Sequence, residues 1–263
     1  MNPLRSVLRG LPAYAWSGWG AAASLLIALA AWEAVSVVTG PLVLPDPRAA
    51  FAALADLVAR GEAWRELAIT TRRALAGFAL SLAAGSALGL AAGLSATAST
   101  MARPIVTVLM GTPPIAWLVL ALLWFGAGDG TPVFTVFIAS FPIVFVGALQ
   151  GARTLDNQLR SMADAFRLPF RMRLLDVTLP HVASYLFPAW ITALGMSWKV
   201  VVMAELLATQ DGVGAALAVT RSHLDTAATL AWIVALLAVL LAAEYLVLEP
   251  LKREVERWRD GAT

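Results

Sequence analysis

The sequence predicts an all-α membrane protein, a single-domain bundle of six transmembrane helices, and three observations lead there. Of 263 residues, 60% are hydrophobic and only 14% charged, which lies outside the range of soluble globular domains. The apolar residues gather in blocks of about 20, the length a helix needs to cross a hydrocarbon core of about 30 Å. The charges collect between blocks, most densely in SMADAFRLPFRMRLLDVTLP at 161–180.

The blocks place spans at about 18–39, 74–95, 104–126, 131–151, 183–208 and 227–248. The first follows Arg5 and Arg9, but it is too long for a signal-peptide core and no small-residue cleavage site follows it, so it reads as a retained span. Between the first two spans, Asp46 can cap a helix that opens with Pro47. Phe51, Leu54, Leu57 and Val58 then share one face, giving an amphipathic helix on the membrane surface or against the bundle.

Gly85, Gly89 and Gly93 recur every fourth residue in the second span and mark a face for close helix packing, within the bundle or between subunits. In the third, Gly111, Pro113 and Pro114 must interrupt the helix, either as a structural kink or as one that lines a pathway. The fifth span holds Lys199 and Glu205 in apolar surroundings. Six residues separate them, or about 120° around a helix, so they do not pair with each other. An intramembrane charge faces a cavity or a partner. Lys199, with Met196 one turn away, is a candidate for the pathway; Glu205 is a candidate for the pathway or for holding the following DGVG turn.

Basic residues set the orientation. With the N-terminus inside and six spans, 12 of them lie inside, including Arg103, Arg153, Arg160, Arg167, Arg171 and Arg173. Six lie outside (Arg48, Arg60, Arg65, Arg72, Arg73 and Arg221), so both termini are expected in the cytoplasm and 152–182 is the main cytoplasmic loop.

Enzyme chemistry finds little support. There are no cysteines, no phosphate-binding G-x-x-x-x-G-K-[ST] loop, and only His181 and His223, which this topology puts on opposite sides of the membrane. No catalytic residue, metal site or cofactor is expected in the chain. The residues alone leave an ATP-driven transport subunit, an ATP-independent carrier or channel, and a membrane-embedded enzyme open.

Several segments bear a family likeness. LPDPRAAFAAL, AAGSALGLAAGLS, GTPPIAWLVLALLWFGAG and MAELLATQDGVGAAL resemble segments of the permease subunits of bacterial ABC importers, of type I fold, in the sulfonate, taurine, nitrate and bicarbonate group. The likeness runs from about residue 43 to 259. Such permeases carry a cytoplasmic loop of the form E-A-A-x-x-x-G…I-x-L-P that docks on the ATPase. Aligning Leu179 and Pro180 with the final L-P puts Ser161 on the glutamate, Ala163 on the second alanine and Arg167 on the glycine. Ala165, Phe166, Arg167 and Leu168 match an A-F-R-[LV] variant of that turn.

The resemblance implies a coupling role for these residues, with Phe166 and Leu168 as apolar anchors, Arg167 and Arg171 as rim charges, and helices ended by Pro169 and near Pro180. It also implies several partners: two ATPase subunits that bind ATP and magnesium, a second permease copy, membrane lipid, and a periplasmic or lipid-anchored binding protein that delivers a small anion. No nucleic-acid partner is expected. The location implied is the bacterial inner membrane.

Overall fold

The computed structural model describes residues 23–155, 161–162 and 165–243, with the side chains of Phe170 and Asp176 omitted. Ala163, Asp164, Arg160, both terminal arginine clusters and the terminus-proximal ends of the first and last predicted spans lie outside the described residues. The helices are α1 (Ala23–Thr39), α2 (Pro47–Ala59), α3 (Glu62–Gly93), α4 (Ala96–Gly111), α5 (Pro114–Phe125), α6 (Gly130–Arg153), α7 (Leu179–Ala208), α8 (Val213–Ser222) and α9 (Thr226–Ala243). Among the described residues, α3, α6 and the continuous helix Arg173–Ala208 are long and apolar enough to cross a membrane.

The helix α2 forms as its capping residues dictate. Asp46 accepts the Ala49 N–H at 2.6 Å, and Pro47 stands where no N–H is needed. Its buried stripe is Pro47, Ala50 and Leu57, with Leu54 packed alongside. Phe51 and Val58 fall off that stripe and remain exposed, which narrows the predicted face. Phe51 instead meets the Trp32 ring of α1.

The core is α6 packed between α3 and α7. Gly77, Gly85, Gly89 and Gly93 of α3 face α6 of the same chain; a Cβ at Gly85 would lie 2.8 Å from the Val144 Cβ. At Gly89 it would press on the Phe145 carbonyl oxygen and lie 2.8 Å from the Ala148 Cβ. Gly147 of α6 meets Ala189 of α7 in the same way. Hydroxyls supply polar links where backbones approach: Ser81 donates to the Phe137 carbonyl at 2.9 Å, and Ser140 lies 3.1 Å from Ser197. Gly89→Ala is expected to cost about 1–3 kcal/mol by overpacking. Gly195→Ala, where an added Cβ meets nothing within 4 Å, should cost nothing measurable. Unfolding midpoints of the two variants in one detergent check this.

Two span predictions differ from the structure. The helix behind the second span starts at Glu62, because the mixed stretch 62–73, with Glu62, Arg65, Glu66, Arg72 and Arg73, continues the helix beyond the apolar block. The third predicted span is two helices, α4 and α5, bent by 93°. Thr112 and Pro113 each precede a proline, and the steric clash with the following ring pushes both into extended backbone, at ψ of 123° and 139°.

Candidate functional site

Two polar regions stand out, one at each end of the bundle. The first is the segment before α7. Phe166 donates its N–H to the Met162 carbonyl at 3.0 Å, closing a helical turn, and Arg167 follows with φ of +49°. A left-handed residue just past a helix end is the position that favours glycine, and Arg167 occupies the place where the family frame has one. Ser161, Ala165, Phe166, Arg167 and Arg171 are exposed, Phe166 by 74%, while Leu168 is half-buried.

Arg167→Gly relieves an unfavourable backbone conformation worth about 1 kcal/mol, so amide exchange at Phe166 should slow about threefold to fivefold. Hydrogen exchange of the intact protein measures this, and faster exchange in the variant would contradict it.

The chain then enters a π turn, Arg173–Thr178, which runs straight into α7. Pro180 was expected to end a helix here and does not, since it sits in the first turn of α7. The Leu179 N–H reaches back to the Leu174 carbonyl. That wider register accommodates a ring that has no N–H and would crowd the carbonyl four residues earlier. Leu179 is half-buried and Pro180 exposed.

The second region is a buried ionic cluster. Arg73 of α3 is 2% exposed and uses all five of its N–H donors. Nε and Nη2 reach Asp129 at 2.7 and 2.5 Å; Nη2 also reaches the Asp211 carboxylate at 2.5 Å; Nη1 reaches Glu205 at 3.0 Å and the Asp211 carbonyl at 2.8 Å. Glu205, fully buried, also accepts the Thr70 hydroxyl at 2.8 Å and the Gly214 N–H at 3.1 Å. Thr70 accepts the Val213 N–H, and Glu66 accepts the Gly212 N–H at 2.6 Å. Three successive amides at the start of α8 are thus satisfied by three side chains, two of them carboxylates, at a helix end that favours negative charge. Gly212 is required there, because its φ is +94° and a Cβ would run into the Glu205 carboxylate.

Lys199 and Glu205 are separated, as their spacing implied. Lys199 is exposed on α7, on a stripe with Tyr185, Pro188 and Thr192, and among the described residues no carboxylate lies within 4.0 Å of it. Met196 is partly buried against the core, Pro113 is exposed, and Pro114 is half-buried at the start of α5. Sequence reasoning missed Arg73, Thr70, Glu66, Asp129 and Asp211 as one cluster. The available signal was Glu205 itself, a buried acid with no partner in its own helix.

Comparison with known proteins identifies the chain's relatives. Residues 83–256 match the model of the family described as binding-protein-dependent transport system inner membrane component. The chain belongs to this family. A permease protein of Escherichia coli named for aliphatic sulfonates transport is 30% identical over 200 residues, covering 75% of this chain and 76% of that protein. The taurine transport system permease protein of the same organism is 27% identical, covering 89% and 88%. The nitrate import permease protein of Synechococcus elongatus is 24% identical, covering 72% of each chain. Family membership, together with apolar helices long enough to cross a membrane, makes the chain a membrane permease component.

Proposed function

We propose that this chain is the transmembrane permease subunit of an ATP-driven importer, forming the pathway for a small anion such as a sulfonate or nitrate. Two copies pair around the pathway, and two ATPase subunits, which hold the ATP and magnesium, dock on the 161–180 segments. A periplasmic binding protein delivers cargo to the end that carries α2 and the 126–131 and 209–226 loops, and both termini face the cytoplasm. The observation that carries this reading is the exposed Phe166 turn, which leads through the π turn into the continuous helix Arg173–Ala208. A protein without an ATP site needs a stiff connection between the docked ATPase and the spans.

The relatives' names favour an anionic cargo. Lys199 suits one, since a cation in the middle of a span disfavours contact with lipid and supplies positive potential to a pathway. Co-expression with a candidate ATPase subunit of the same importer class tests the proposal. The two should co-purify from detergent; their persistent separation would favour an ATP-independent carrier.

A further inference from the structure

The Arg73 cluster has a feature that burial does not require. Its inner arm, Glu205 and Thr70, is fully buried, but its outer arm is two carboxylates on separate loops, Asp129 and Asp211, whose side chains are 54% and 53% exposed. One guanidinium therefore joins α3, the α5–α6 loop, the α7–α8 loop and the body of α7. A buried acid needs one partner to be neutralised, and Glu205 alone would have sufficed for Arg73. The planar five-donor fork instead distributes its bonds over segments distant in sequence, with Asp129 56 and Glu205 132 residues from it.

We propose that Arg73 is a positioning residue for transport, fastening the α5–α6 loop to α7 so that the two move together when the transporter changes state. This rests on the importer reading above. The loop also meets α7 through the Gly128 N–H and the Ala208 carbonyl at 3.2 Å, a single bond at the edge of the same turn. The guanidinium adds two bonds to Asp129 and ties them to the buried carboxylate of α7.

The natural chain has no cysteine, so single reporter cysteines are unambiguous within it. Ala127→Cys reports on the loop and Thr192→Cys on the exposed stripe of α7. The permease with its ATPase subunits, in nanodiscs, is labelled with a polar maleimide without nucleotide and after vanadate trapping with ATP. With the cluster intact, both labelling rates change together. In Asp129→Asn/Asp211→Asn, which leaves the Arg73–Glu205 pair in place, the change at Thr192→Cys should persist, and that at Ala127→Cys should fall about tenfold. The unfolding midpoint should hold, which a purely structural role for the two carboxylates does not predict. Arg73→Lys, with three donors in place of five, should give an intermediate loss.

Equal responses of both reporters in the double variant would overturn the proposal. If the Thr192→Cys rate ignores nucleotide even with the cluster intact, the importer reading itself fails and the positioning role fails with it.

Discussion

Arg73→Ala is expected to destabilise the protein by about 3–5 kcal/mol, the loss seen when one partner of a buried ion pair is removed. The cost comes less from the bonds lost than from what is left behind. Glu205 is fully buried, and without Arg73 its charge keeps only the Thr70 hydroxyl and the Gly214 N–H. Glu205→Ala should cost less, because Arg73 retains the Asp129 and Asp211 carboxylates. The double variant should then be less unstable than the sum of the two, since neither charge is stranded. Arg72→Ala provides the control: its guanidinium also bonds Asp129, at 2.6 Å, but it is 67% exposed, and such pairs contribute no more than about 1 kcal/mol. Thermal unfolding in detergent reads all four variants, and equal losses at positions 72 and 73 would refute the account.

Phe166→Ala is expected to weaken ATPase binding by about thirtyfold, which corresponds to about 2 kcal/mol for an aromatic anchor at an interface centre. The fold should be indifferent to the change. The residue is 74% exposed, and the turn is held by the backbone bond from Phe166 to Met162. Titration of the purified permease with its ATPase subunit measures the affinity, while an unchanged melting midpoint shows that the loss is local. Unaltered affinity would remove Phe166 from the docking surface.

The parts legible in the sequence are those with a local cause. The break at Gly111–Pro114 follows from two consecutive prolines, and the glycine stripe of α3 from a period of four. The isolation of Lys199 from Glu205 follows from their spacing. Other features depend on partners distant in the chain. Arg65, Arg72 and Arg73 look like charges of an outer loop, yet they lie in the N-terminal half of α3, and Arg73 pairs with a residue 132 positions away. Hydropathy located the apolar part of that helix and not its start. The π turn leaves no sequence signal beyond Pro180, a residue that ordinarily ends a helix and is accommodated here by a widened register.

The continuous helix Arg173–Ala208 also sets the scale of any motion. Its 36 residues make a beam of about 54 Å at about 1.5 Å per residue. Its contact with α6 runs from Val182 beside Gly151 to Ser197 beside Ser140, and Ala189, which faces Gly147, lies 16 residues from one end and 19 from the other. A stiff beam that rocks by about 10° about its middle carries its two ends about 4–5 Å in opposite directions. Such a helix carries displacement at the end that follows Phe166 to the end that holds Glu205 in one stroke.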